Sequence, residues 1–128
     1  MKLTTITIIT TLCLTGCRSL MDKIPSRWDD NQSKVVIDLR QETLHFDCTG
    51  DLSAQLNHLS KKVEWFHLYS ESKSTNDVDK LMTQMNTTLS EFIDRSKQGP
   101  VSPIYCDLKK KIMINQIDII AKTVHRRF

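Results

Sequence analysis

Among the histidine and carboxylate side chains of this sequence, one closely spaced pair is the candidate for holding a metal ion. His45 and Asp47 lie two residues apart, so an extended strand would place both side chains on one face. A metal held there would need a third ligand from a distant part of the chain, such as His58 or His67. The same spacing equally fits the solvent-facing side of a half-buried hairpin. We therefore expect no metal site and no cofactor.

Enzymatic motifs are also missing from the sequence. It has only three glycines, and none of them belongs to a phosphate-binding loop, while nucleophile-elbow, HExxH and CxxC motifs do not occur. Thiol catalysis would need a thiolate held beside an imidazole, and the spacing of the cysteines and histidines places no such pair together. The sequence therefore predicts neither an enzyme nor a small-molecule substrate.

The first residues have the composition of a secretory signal. Lys2 is followed by an uncharged stretch, residues 3–14, rich in Leu, Ile and Thr. As a helix this stretch would cover about 18 Å at about 1.5 Å per residue, whereas the apolar core of a bilayer is about 30 Å thick. It is therefore predicted to be a targeting segment rather than a membrane span.

The end of this segment, Leu14-Thr15-Gly16-Cys17, resembles the lipobox of bacterial prolipoproteins. The resemblance covers residues 1–17 alone. It implies thioether lipidation of Cys17, cleavage after Gly16 and acylation of the new amino terminus. Several acyl chains hold a protein on a bilayer essentially permanently, whereas one does not. The alternative is an ordinary signal peptide followed by Gly-Cys by chance.

The residue after the lipidated cysteine indicates the membrane. In lipoprotein sorting of the enterobacterial type, Asp at this position favours retention in the inner membrane. Here the residue is Arg18. The resemblance therefore implies delivery to the outer membrane, with the protein facing the periplasm.

Lipidation of Cys17, together with removal of Cys13 in the signal peptide, leaves Cys48 and Cys106 as an even pair. In the oxidising periplasm a disulfide between them is the simplest outcome. On the chain-entropy model it would stabilise the fold by about 4 kcal/mol. The alternative is two buried free thiols.

Charge and aromatic clusters leave several interpretations open. The net charge of +3 indicates no particular partner, and the predicted compartment disfavours nucleic acid. Residues 109–111 and 125–127 are basic clusters that could meet lipid headgroups or an acidic partner, or could simply face solvent. The group formed by Trp65, Phe66 and Tyr69 fits either a core or a recognition patch.

The chain divides into a signal peptide (1–16), a lipidated tether (17–33) and one small domain (34–128). Residues 34–40 and 43–48 alternate apolar and polar side chains, which favours a β-hairpin. Residues 62–69 fit a helix or a strand, and their β-branched and aromatic side chains favour a strand.

Helical periodicity is clearest over residues 76–97, where apolar side chains recur at three- and four-residue spacing and Gly-Pro follows. Asp51 is typical of an N-cap for a short helix. Residues 104–124 fit a helix better than strands. Together these elements predict an α+β fold, in which a small antiparallel sheet (about 34–48) packs against helices.

With no catalytic motif, the sequence favours a binding or structural role. We expect a membrane-anchored lipoprotein that pilots, chaperones or anchors a component of a cell-envelope assembly, such as a secretion or pilus system. Its partners would be the bilayer, through Cys17, and an envelope protein. The alternative is an immunity or exclusion lipoprotein that binds and blocks a toxin, a hydrolase or a phage component.

Overall fold

The computed structural model of the protein describes residues 29–126, and this part of the chain contains four α-helices and no strand. The helices are α1 (Asp30–Leu44), α2 (Leu52–Ser72), α3 (Asn76–Lys97) and α4 (Pro103–His125). The predicted signal peptide, Cys17 and most of the predicted tether lie outside the described residues.

The four helices form a ring in which each one packs against two neighbours. Helix α1 contacts α2 and α4, and α3 contacts the same two helices, whereas α1–α3 and α2–α4 lie across the diagonals. The connections, residues 45–51, 73–75 and 98–102, are short, so consecutive helices run antiparallel. The described chain is therefore an up-down-up-down four-helix bundle.

Local side-chain chemistry explains where helices begin. The Asp29 carboxylate accepts hydrogen bonds from the amides of Asn31 and Gln32 at 2.9 and 3.2 Å, which caps α1. Asp51 caps α2 in the same way, since it accepts the Ala54 amide at 3.0 Å. Such a cap stabilises a helix by about 1 kcal/mol relative to alanine.

The turns that end α2 and α3 both use left-handed backbone. Ser74 has φ of 54°, and the Thr75 amide next to it donates to the Ser70 carbonyl at 3.0 Å. Gly99 has φ of 137°, a conformation that side chains other than glycine rarely adopt. The chain can therefore reverse within a few residues at each of these turns.

The core lies along the axis of the bundle, and every helix contributes one apolar stripe to it. Phe66 and Phe92 are the largest side chains that are fully buried. The buried apolar side chains are Val36, Leu39, Phe46, Leu56, Leu59, Val63, Phe66, Val78, Met82, Met85, Leu89, Phe92, Cys106, Met113, Ile117, Ile120, Ala121 and Val124.

The prediction of a hairpin over residues 34–48, and with it the α+β fold, is wrong. Residues 34–44 belong to α1, whose buried positions are Gln32, Val36, Leu39 and Thr43. This spacing is helical, but two of the four members are polar, which concealed the stripe in the sequence. Ile37, which an alternating strand would place on the same apolar face as Val35 and Leu39, is 53% exposed.

The strand favoured for residues 62–69 is also wrong, because this segment continues α2. The buried residues Leu59, Val63, Phe66 and Ser70 follow a three- and four-residue spacing. The aromatic content that favoured a strand comes largely from Trp65 and Tyr69, which lie outside the core stripe. β-Propensity reflects side-chain packing more than backbone preference, and here the packing is that of a helix.

Two other helical predictions agree with the structure. The amphipathic segment 76–97 is α3 with the same bounds, and residues 104–124 lie within α4. The helix predicted to start after Asp51 does so, but it runs on to Ser72. Helix α1 begins at Asp30, so the last residues assigned to the tether belong to the first turn of the bundle.

A buried polar contact fixes α1 against the turn between α2 and α3. The Gln32 side-chain amide donates to Thr75 Oγ1 at 2.9 Å, and the Thr75 hydroxyl donates to the Ser70 carbonyl at 2.8 Å. All three side chains are buried. Because a buried polar group that loses its partner keeps its desolvation cost, this contact specifies how α1 is placed.

Thr75→Val should lower the free energy of unfolding by about 1–3 kcal/mol, because it removes an acceptor and a donor from a buried network. Urea unfolding followed by circular dichroism measures the change. Thr87→Val is the matched control, since the exposed Thr87 hydroxyl bonds only the Thr83 carbonyl at 3.0 Å of its own helix. Equal unfolding midpoints for the two variants would show that the buried network contributes nothing.

Cys48 and Cys106 form a disulfide in the structure, with their Cα atoms 5.9 Å apart. Cys48 lies in the connection between α1 and α2, and Cys106 is buried in the first turn of α4. The bond therefore joins the end of the first helix to the start of the last one. That the bond forms in the cell stays a prediction.

Reduction of the disulfide should lower the free energy of unfolding by about 4 kcal/mol, because the sequence separation of 58 residues closes a long loop in the unfolded chain. Urea unfolding with and without reductant measures the difference. The double variant Cys48→Ala/Cys106→Ala provides the control, since its unfolding should not respond to reductant. A wild-type protein equally indifferent to reductant would mean that the two thiols are not bonded.

Candidate functional site

The two ends of the bundle differ in what they carry. At one end, which we call the tether end, lie Asp29, where the chain enters α1, the turn at residues 73–75 and the last residue described, Arg126. At the other, the disulfide end, lie the connections 45–51 and 98–102. Any surface of the bundle can therefore be placed by its distance from the predicted lipid anchor.

The outer side of α4 carries large apolar side chains that nothing in the described chain covers. Ile104 is 83% exposed, Leu108 54% and Ile119 50%. With the half-buried Ile112 they occupy positions that a helix brings to one side. We call these four residues the α4 stripe. It spans about 22 Å at about 1.5 Å per residue.

The basic run in α4 separates into three different environments. Lys109 donates to Glu91 of α3 at 2.7 Å and lies over the Tyr105 ring. Lys110 donates to the Phe46 carbonyl at 2.6 Å, which binds α4 to the connection after α1. The exposed Lys111 makes no ion pair within residues 29–126.

Two lysines on α4 lie along the α4 stripe and form no ion pair within the described chain. Lys111 and Lys122 are both exposed and lie on the same outer side of α4 as Ile104 and Ile119. Two carboxylates lie near these lysines along α4: Asp118 accepts Arg40 Nε of α1 at 2.6 Å, and the exposed Asp107 lies one turn before Lys111. The exposed face of α4 thus combines apolar side chains with two free ammonium groups.

A second apolar surface lies on α2. Phe66 is buried, as the core interpretation of the aromatic cluster requires, but Trp65 is 51% exposed. The Trp65 ring stacks on the Tyr69 ring with centroids 5.2 Å apart, and Leu68 beside them is 58% exposed. We call Trp65, Leu68 and Tyr69 the α2 patch.

Between α1 and α2 runs a groove of about 420 Å³ lined by Val35, Asp38, Trp65 and three basic side chains, His58, Lys61 and Lys62. Glu42 lies next to it. Its Oε1 pairs with the Lys62 ammonium and lies 3.4 Å from His58 Nε2.

Glu42, the carboxylate next to the groove, is held in an ion pair with Lys62, and Asp38 is the carboxylate that lines the groove. The Lys62 ammonium and His58 Nε2 both contact the same oxygen of Glu42. No serine, threonine or cysteine is among the residues that line the groove. The arrangement fits a polar rim around Trp65 better than a reaction site.

The candidate metal ligands do not come together. His45 ends α1, His58 faces Glu42, and His67 Nε2 lies 2.8 Å from Asp79 Oδ1 on α3. Within the part of the chain that the structure describes, no group of three or more His, Cys, Asp or Glu side chains could hold a metal ion.

Asp47, the fourth candidate ligand, shapes the connection that carries Cys48. The amide and then the hydroxyl of Thr49, donating to Oδ1 at 2.8 and 2.7 Å, hold the pKa of Asp47 below its usual 3.8. The Gln55 side chain accepts the Asp47 amide at 2.8 Å and donates to its carbonyl at 3.0 Å. These bonds position Cys48 for its partner.

The α4 stripe is the feature that sequence reasoning missed. A helix that buries one side normally shows mainly polar residues on the other, whereas the outer side of α4 carries large apolar side chains between its lysines. Met113, Ile117 and Val124 follow the helical spacing of the core stripe. Ile104 and Ile119 do not fit this spacing, and this mismatch in the sequence indicates a second apolar side of the helix.

Among residues 29–126, none of the helices has the length and the apolar character that crossing a membrane requires. Comparison of the chain with protein-family models, with curated proteins and with solved structures finds no match.

Proposed function

We propose that this protein is a lipid-anchored binding module of the bacterial cell envelope, held at the outer membrane through Cys17, facing the periplasm and docking an envelope protein on the α4 stripe. The observation that carries the proposal is the row of exposed apolar side chains at Ile104, Leu108 and Ile119. Such a module pilots, chaperones or anchors a component of a larger assembly.

A row of this kind favours a protein partner. Large apolar side chains gathered on one exposed surface are typical of interaction sites. The stripe has the form of a helix that lies in the groove of another protein, where side chains one and two turns apart provide the anchors. The occupant we infer is an envelope protein with an apolar groove.

The lysines beside the α4 stripe limit which protein partners can bind it. Lys111 and Lys122 flank the stripe without ion pairs in the described chain. Rim charges of opposite sign speed association and reject wrong partners. The groove of the partner should therefore carry acidic side chains along its rim.

The anchor keeps the module near the membrane. Cys17 is separated from Asp29 by a short segment that would relax to about 20 Å and reach at most about 40 Å. The bundle would therefore work within one or two of its own diameters from the bilayer, where its partner must also be found.

Replacing the lipidated residue tests the anchor. Cys17→Ser should release the protein from membranes or stop it as the uncleaved precursor, because no thioether can form on serine. Membrane flotation and the mass of the amino-terminal peptide measure this. Cys13→Ser is the matched control and should leave both unchanged. Normal processing and flotation of Cys17→Ser would contradict the lipid anchor.

Reversing the character of the α4 stripe tests the docking surface. Leu108→Asp/Ile119→Asp should lower recovery of cross-linked envelope proteins at least tenfold, because it places two charges in an apolar interface. Quantitative mass spectrometry after cross-linking in cells measures recovery. Both residues are exposed, so thermal unfolding of the variant should stay close to that of the wild type.

The matched control for this experiment is Asn86→Asp/Ser90→Asp, which puts the same two charges on exposed positions of α3, outside both the α4 stripe and the α2 patch. Its cross-linked products should match those of the wild type in identity and yield. If the α4 variant kept the full yield, or if both variants lost the same products equally, docking on the α4 stripe would be refuted.

A further inference from the structure

The α2 patch is the second uncovered apolar surface, and its position relative to the tether suggests what covers it. We propose that Trp65, Leu68 and Tyr69 rest in the headgroup interface of the bilayer that holds the anchor. This inference rests on the lipid anchor of the proposed function, and it adds the orientation of the bundle on the membrane.

The contacts at the tether end connect the start of α1 directly to the patch. The Tyr69 hydroxyl donates to Asp29 Oδ2 at 3.0 Å, and the Tyr69 ring stacks on Trp65. Asp29 is the first residue that the structure describes, and only residues 18–28 separate it from Cys17. The chain that leads to the lipid therefore joins the bundle beside the patch.

The chemistry of the patch matches a membrane interface. Tryptophan and tyrosine are enriched at the headgroup level because each combines an apolar ring with a polar tip. Lys73 lies 5.6 Å from the centroid of the Tyr69 ring, and the exposed Lys61 lies one turn before Trp65. Lysines near an interface can bury their stems and keep their ammonium groups at the phosphates.

Because the protein is tethered, a small apolar patch is enough to hold the bundle against the bilayer. A contact of one tryptophan and one leucine would be weak for a free protein. A short tether raises the effective concentration of the attached surface to about the millimolar range, so the weak contact is populated whenever the lipid is inserted.

The fold places the partner surface away from the membrane in this orientation. Helices α2 and α4 lie across a diagonal of the bundle, so their outer sides point in opposite directions. When Trp65 and Leu68 rest on lipid, Ile104 and Leu108 face the periplasm. The two uncovered apolar surfaces thus have different occupants.

Fluorescence quenching tests the orientation on the full mature lipoprotein in vesicles of phosphatidylethanolamine and phosphatidylglycerol. Trp28→Phe leaves Trp65 as the single tryptophan, since the chain has only two. Brominated acyl chains should reduce Trp65 emission at least twofold relative to unbrominated vesicles. Adding Leu68→Asp to this variant should abolish at least half of the quenching.

The matched control moves the reporter to the other side of the bundle. Trp28→Phe/Trp65→Phe/Leu108→Trp carries its single tryptophan on the α4 stripe, and its emission should be unaffected by bromine. Equal quenching of the two reporters would mean that the bundle has no preferred side and would overturn the inference.

Vesicle flotation of the same samples separates the two proposals. A protein that floats while Trp65 stays unquenched keeps its anchor and overturns the bilayer contact alone. A protein that does not float overturns the anchor, and the orientation falls with it. Emission of Trp65 that changes only after envelope proteins are added would identify the patch as a protein site and overturn the lipid assignment.

Discussion

A helix in a four-helix bundle can bury only one side, and this limit determines which residues are left for interactions. The core takes one stripe from each helix, together with Phe46 from the connection after α1. Apolar side chains outside the four stripes have no interior to enter. In the described chain five of the seven large exposed apolar side chains lie on α4 and α2, and the other two, Ile37 and Leu44, lie on α1. The packing that builds the bundle therefore also defines the α4 stripe and the α2 patch.

The same limit explains which parts of the fold the sequence predicts. Five of the six buried residues of α3 are apolar and its outer side is mostly polar, so its helical periodicity is visible in the sequence. In α1 the buried positions include Gln32 and Thr43, and an exposed isoleucine, Ile37, supplies a false two-residue alternation. A sequence pattern shows only residue types, whereas burial also depends on which other residues each side chain contacts. Gln32 is buried because Thr75, far along the chain, accepts its hydrogen bond.

The candidate site is less predictable from the sequence than the fold, because the role of each side chain depends on which residues of other helices contact it. The lysines at 109–111 form one run in the sequence, yet Glu91 and the Phe46 carbonyl engage two of them and leave Lys111 for solvent. Trp65 and Phe66 are neighbours in sequence but point to opposite environments. Their roles follow from helix phase and from contacts with other helices, which a linear pattern does not contain.

The disulfide gives the bundle a particular mechanical property. Cys48 and Cys106 connect the end of α1 to the start of α4, so the covalent path from α4 to Asp29 crosses the sulfur atoms and omits the segment between them. A pull exerted on α4 against Asp29 would travel along the covalent chain through α1 and the disulfide, leaving α2 and α3 outside the loaded path. Two of the four helices would thus carry none of the force that is transmitted along the covalent chain.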